Sequence, residues 1–239
     1  MVLGILDYLN GVMSSIFVIS SVAVGLIIAF RYTKIKDFNL ILLGISWIIL
    51  CEPWIAQSVS FISYFTFGNG LSIIPHLVIG YFFLPFGVIL WIIVITNLIY
   101  KSRQKLILFI FICIEIVFMI VFFCFLFIRP AILGSISGAF DIDYGPLLLI
   151  YILPHLIIVL VTGILFARES LKSEKRDIQL KGKFLIIAFI SYLIGGMLSV
   201  FSNYSPILLI IGRLITISSA FEFYLGFILP TKVKMIFIK

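Results

Sequence analysis

Charge is the first thing this chain lacks. Only 11% of its 239 residues are Asp, Glu, Lys or Arg and 63% are hydrophobic, against about 45–50% apolar in soluble domains. Mean hydropathy is +1.32. A soluble protein of this size cannot hide so much apolar surface, so the expected solvent is lipid. Cysteine is equally sparse. Cys51, Cys113 and Cys124 show no CxxC spacing and no even-numbered framework, and all three fall in apolar runs, which excludes a disulfide scaffold and leaves small packing residues. There are two histidines, and without matching acids at ligand spacing they make no metal site. No Ser–His–Asp arrangement, glycine-rich phosphate loop or activated cysteine is present, so no enzymatic activity and no cofactor are expected. The seventh apolar run has no lysine before Lys232, which excludes a retinal Schiff base there.

What is present is a regular alternation. Seven apolar runs, at residues 10–30, 38–66, 71–100, 106–128, 145–167, 183–204 and 206–230, each approach or exceed the ~20 residues that cross a hydrocarbon core. Of the 17 Lys and Arg residues, 15 fall in Arg31–Lys36, Lys101–Lys105, Arg168–Lys183 and Thr231–Lys239, which are alternate connections. The positive-inside rule places those segments in the cytoplasm. The expectation is a single all-α domain, 1–239, forming an integral membrane bundle of seven transmembrane helices, N-terminus out and C-terminus in. Met1–Asn10 has no basic region, so the first run reads as an uncleaved helix. The net charge of +7 is spread over loops, which argues against nucleic acid as a partner and for membrane lipid. Arg168–Lys183 is expected to extend the fifth helix and turn at Gly182, and Thr231–Lys239 to lie at the lipid interface. Ser191, Gly195 and Ser199 face the sixth run's neighbour at four-residue spacing, as Gly212, Thr216 and Ala220 do on the seventh, so these helices should pack closely.

Ionisable residues inside apolar runs are the candidates for function. Counting at 1.5 Å per residue from the basic ends puts Glu52, His155 and Arg213 about 20–28 Å away, with His76 beyond them. Glu115 and Glu222 fall near 15 Å on the same approximate scale. Glu52, His155, Arg213 and His76 are therefore candidate ligand-binding residues, and Glu115 and Glu222 are intramembrane acids. Arg213 cannot readily shed its proton; an ion pair with Glu52, an anionic ligand and snorkelling are all open to it. Glu115 and Glu222 read as neutral acids bonded to backbone or hydroxyls, with a proton relay as the alternative. Pro53, Pro85 and Pro154 interrupt the second, third and fifth helices. Polar groups beside those kinks suggest an outer-half cavity between helices 2, 3, 5 and 7, lined by Trp47, Trp54, Tyr81, Tyr151 and Tyr192. Asp141 and Asp143 read as a solvated turn. The repeated Pro-His-Leu at Pro75 and Pro154 reads as coincidence, because the two histidines differ in depth.

Several short motifs carry a resemblance: Gly44-Ile45-Ser46-Trp47, Tyr81 through Leu84-Pro85 to Trp91, Lys101-Ser102-Arg103, Gly145-Pro146, Arg176-Asp177-Ile178-Gln179-Leu180 and Gly226-Phe227-Ile228-Leu229-Pro230. In this order they resemble the seven-helix N-terminal sensor region of prokaryotic, especially archaeal, histidine kinases. The resemblance implies that ligand perception is passed as helix movement to the cytoplasm. Here the sequence ends nine residues after Pro230, so no kinase domain is expected in the same chain. The abundance of Ile, Phe and Lys suggests an AT-rich prokaryotic genome. The expected function is a receptor-like sensor in the plasma membrane, taking a small or lipid-like ligand and engaging a cytoplasmic signalling partner at Arg168–Lys183. The alternatives are a small proton-coupled transporter, although no Pro-Gln pair of the seven-span carriers occurs, and a non-catalytic membrane subunit.

Overall fold

The computed structural model describes residues 4–200 and 205–238, and over these the chain is almost wholly helical. In chain order come α1 (Ile5–Phe30), α2 (Tyr32–Ile35), α3 (Asn39–Leu50), α4 (Glu52–Phe67), α5 (Ile73–Tyr81), α6 (Leu84–Leu98) and α7 (Gln104–Ile128). A hairpin of β1 (Gly134–Ser137) and β2 (Asp141–Tyr144) leads into α8 (Pro146–Leu171), α9 (Arg176–Val200), α10 (Pro206–Ile228) and α11 (Thr231–Phe237). Six helical segments are long and apolar enough to cross a membrane, and α3 with α4, bent by 54°, makes a seventh if counted as one broken span. The end of the expected sixth run, 201–204, lies outside the described residues.

Prolines explain the breaks, and side chains from elsewhere repair them. Pro53 has no N–H to give to Ile49, so α3 stops and α4 restarts with Trp54 N–H bonded to the Cys51 carbonyl. The Leu50 carbonyl beside this break accepts from the Tyr192 hydroxyl of α9 at 2.8 Å. Pro85 likewise separates α5 from α6. The Phe83 N–H at that break donates to Glu52 Oε1 at 2.9 Å. Pro154, by contrast, sits inside an uninterrupted α8.

Small residues set the closest helix contacts. Helices α9 and α10 make the most extensive contact among the described residues. A Cβ added at Gly195 would strike Thr216 Oγ1 and lie 2.9 Å from the Thr216 nitrogen, and one at Gly212 would lie 2.9 Å from Leu198 Cβ. The expected pairing of these two stripes is therefore correct. Gly25 and Gly44 bring α1 and α3 together in the same way. The turn expected at Gly182 is displaced: α8 ends at Leu171 and α9 begins at Arg176. Gly182 is inside α9, where a Cβ would approach the Ala167 carbonyl to 2.9 Å, so its role is close packing of α9 on α8.

The two ends of the bundle differ. At the basic end, Arg31 donates to the Phe227 and Ile228 carbonyls at 3.0 and 3.2 Å, satisfying orphan acceptors at the end of α10. There Lys234 of α11 bonds Asp177 at 3.3 Å, which holds that carboxyl below its ordinary range. At the other end the hairpin pairs Gly134 with Tyr144 and Ser137 with Asp141. Gly138, at φ +60°, supplies the left-handed turn residue.

Candidate functional site

Beneath the hairpin lies a buried polar cluster on which α1, α4, α10 and β2 converge. Arg213 is 1% exposed. Its Nε and Nη2 donate to Asn10 Oδ1 at 2.9 and 2.7 Å, Nη2 also donates to Gln57 Oε1 at 2.7 Å, and Nη1 to Ser199 Oγ at 3.3 Å. The counter-charge is Asp141, whose Oδ2 lies 3.8 Å from Nη2. That distance is ionic but beyond hydrogen-bond reach. Both amides span the gap: Asn10 Nδ2 donates to Asp141 Oδ2 at 3.2 Å and Gln57 Nε2 to Oδ1 at 2.5 Å. Each therefore turns its oxygen to the cation and its nitrogen to the anion, which fixes the amide orientations through the network. Ser14 adds a hydroxyl donor to Gln57 Oε1 at 3.1 Å, and the Ile142 N–H donates to Asp141 Oδ1 at 2.8 Å. Burial pushes the neighbouring Tyr144 hydroxyl up to about 12, with the Asp141 carboxylate adding to the shift.

A pocket of about 240 Å³ opens at the hairpin end above this cluster. Asp7, Asn10, Ser137 and Asp141 supply its polar lining, with Leu6 and Pro206 among the apolar walls. Arg213 is not in the lining and sits behind Asn10 and Asp141. A solute in the pocket would compete for the groups that neutralise the buried cation.

Three expectations are corrected here. Arg213 does not pair with Glu52; its carboxylate partner is Asp141, because the hairpin folds back over the bundle. Asp141 is for the same reason buried rather than part of a solvated turn. Glu52 instead caps the break at Phe83, as a carboxylate does at a helix start.

The expected separation of His155 from Glu115 also fails. Glu115 of α7 reaches α8, where its Oε1 lies 2.9 Å from His155 Nε2 and its Oε2 accepts from the Tyr151 hydroxyl at 2.6 Å. Phe118 stacks on Tyr151 with ring centroids 3.5 Å apart. So Glu115 is bonded to a hydroxyl, as expected, and to His155 as well. Among the described residues, one carboxylate oxygen of Glu222 is buried without a hydrogen-bond partner, as is Nδ1 of His76. Ser218 and Ser219, about one turn before Glu222, bond the Ile215 and Thr216 carbonyls.

A cavity does lie beside the kinks, but it is differently walled than expected. It measures about 40 Å³, enough for only a few waters, since one needs roughly 10–15 Å³ of such volume. Pro53, Trp54, Leu84, His155 and Tyr192 line it, so α9 takes the place expected of the seventh helix. Glu52, His76, Arg213, Trp47, Tyr81 and Tyr151 are not in its lining.

Comparison with known proteins gives nothing to transfer: no protein-family model matches the chain, and neither does any curated protein or solved structure. No group of three or more His, Cys, Asp or Glu able to hold a metal occurs among the described residues. Asn10, Gln57 and Asp141 are not among the ionisable groups of the apolar runs: two are neutral amides and the third lies in a connection. An amide within about three turns of the same helix ends as Arg213 was the available signal.

Proposed function

We propose that this chain is a seven-span sensory protein of a prokaryotic plasma membrane, with its hairpin end outside and its basic end in the cytoplasm. The observation that carries the reading is the Arg213–Asp141 pair, bridged by two amides directly beneath an outward-facing pocket. A small polar solute that takes hydrogen bonds from Asn10 or gives them to Asp141 weakens the hold of the hairpin on Arg213. Because the pair is buried, that change is large in free energy and biases α10 between two positions. Movement of α10 reaches the cytoplasmic end through the Arg31 bonds to Phe227 and Ile228. From there it reaches the Arg168–Lys183 surface through the Lys234–Asp177 contact. The resemblance to histidine-kinase sensor regions points the same way.

A proton-coupled carrier using Glu52, His155, Glu115 and Glu222 draws less support. Glu52 Oε1 accepts from the Phe83 N–H, and neither Glu52 nor Glu222 is in the lining of the cavity that His155 reaches.

Spin labels on cysteines replacing Lys172 and Lys232, in protein reconstituted in vesicles, report the relative position of the α8–α9 turn and α11. A panel of amines, amino acids and betaines should contain a solute that changes the distance distribution. Asp141→Asn should change it without solute, and Ser137→Trp, which fills the pocket and leaves Arg213 untouched, should abolish the solute response. Identical distributions for the wild type and a folded Asp141→Asn, together with no response to any solute, would overturn the proposal.

A further inference from the structure

At the basic end, where α11 packs on the start of α9, there is a pocket of about 250 Å³. It shares no lining residue with the hairpin-end pocket. Arg176, Gln179, Leu180 and Lys183 of α9 form one wall, and Phe237 and Ile238 at the end of α11 form the other. The four α9 positions recur every three or four residues and so lie on one face. Two contacts hold α11 beside that face. Lys234 bonds Asp177 at 3.3 Å, and the Phe237 ring meets Phe184 edge-on with centroids 5.7 Å apart. Gln179 Nε2 donates to the Ser173 carbonyl at 2.8 Å, which ties the first wall to the α8–α9 turn.

Charge and the surface beyond the pocket select its occupant. The lining has two cationic side chains and, among the described residues, no acid. Asp177, next to Arg176, is engaged by Lys234. An anion is compensated here and an ammonium is not. Past Lys183 the same face of α9 turns apolar, and Ile187, Ile190 and Ile194 are 49%, 41% and 43% exposed. This stripe extends about 16 Å from Lys183, along a helix long and apolar enough to cross a membrane. A ligand that suits both parts carries an anionic head and an apolar chain on one molecule. A zwitterionic head group brings an ammonium with its phosphate, and the pocket gives that ammonium no partner.

We propose that the α9–α11 pocket binds a membrane lipid whose phosphate head group carries no amine, of the phosphatidylglycerol class. Arg176 and Lys183 take the phosphate, the first through its forked N–H donors and the second as a point charge. Their backbones are about 10 Å apart along the axis, within the joint reach of two long side chains. The apolar chain lies along Ile187, Ile190 and Ile194. Because α11 supplies one wall, the bound lipid fastens α11 to α9. The site depends neither on the sensory reading nor on the direction of insertion. A free phosphate ester has the same head-group chemistry and is the competing source.

The full chain in phosphatidylcholine vesicles is photolysed with a trace of phosphatidylglycerol carrying a diazirine in one acyl chain, and labelled residues are mapped by mass spectrometry. Labelling should concentrate on Ile187–Ile194. Unlabelled phosphatidylglycerol should displace the probe at least tenfold more effectively than phosphatidylethanolamine. This series is measured on the wild type and does not depend on how variants fold. Arg176→Gln with Lys183→Gln should lower the labelling at least tenfold, since each cation beside an anionic lipid contributes roughly fivefold. Arg176→Lys with Lys183→Arg should restore most of it. Lys172→Gln with Lys175→Gln removes the same charge outside the pocket and should leave the labelling nearly unchanged. An equal loss in that pair would mean general attraction of anionic lipid to the basic end and overturns the proposal. Equal displacement by phosphatidylethanolamine overturns the choice of head group. Displacement by glycerol phosphate as effective as that by phosphatidylglycerol makes the ligand a soluble phosphate ester and overturns the lipid.

Discussion

At the scale of single residues, the Arg213 cluster is a case in which charges 3.8 Å apart depend on two amides for their coupling. Removing one charge leaves the other buried and uncompensated, which typically costs about 3–5 kcal/mol. Asp141→Asn and Arg213→Met should each destabilise the protein by about that amount, read by thermal or denaturant unfolding in detergent micelles. The double variant should lose less than the sum by at least about 2 kcal/mol, because no isolated charge remains. Strictly additive losses would mean that Asp141 is not the counter-ion. Arg213 was legible in the sequence as a residue in need of a partner, but the partner was not. Depth counted along helices from the basic ends cannot see a loop that turns back over the bundle, so Asp141 read as solvated. Glu52, close in counted depth, took its place. His155 and Glu115 were separated by the same ruler, although two long side chains on adjacent helices span several ångströms of axial offset.

At the scale of elements, the breaks were legible and their repair was not. Pro53 and Pro85 announce lost backbone bonds wherever they stand in a helix. Which side chain satisfies the stranded groups depends on which helices become neighbours, and one sequence does not determine that. The repair at Phe83 is testable as a coupling. Glu52→Ala should destabilise the wild type by about 1–3 kcal/mol, the cost of leaving a part-buried N–H unsatisfied. In a Pro85→Ala background, where α5 can continue towards α6 and Phe83 N–H can find a backbone carbonyl, the same substitution should cost at least about 1 kcal/mol less. Unfolding curves of the four proteins measure this, and an equal cost in both backgrounds would deny the capping role. The small-residue stripes on α9 and α10 were legible for a different reason. Close approach of two helices requires the absence of side chains at the crossing, and an absence at four-residue spacing is visible in the sequence alone.

At the scale of the whole molecule, the alternation of basic and non-basic connections and the fold place the same segments together. Arg31, Lys101–Lys105, the α8–α9 turn and α11 share one end, while the hairpin and the start of α1 share the other, since the chain reverses with each long helix. The proposed orientation rests on charge alone: moving the basic end outward would carry 15 of 17 cationic side chains against the positive-inside bias. Cysteine labelling measures it directly. The native Cys113 and Cys124 lie on the exposed apolar flank of α7, so they are replaced by alanine, while buried Cys51 is retained. Ser135→Cys on the hairpin should then react with a charged, membrane-impermeant maleimide in intact cells. Ser102→Cys, between α6 and α7 at the basic end, should react only after the membrane is opened. The reverse pattern would turn the bundle over and place the Asp141 pocket in the cytoplasm. The Arg213 cluster would then face intracellular solutes, and the proposed direction of signalling would be lost while the fold stayed the same.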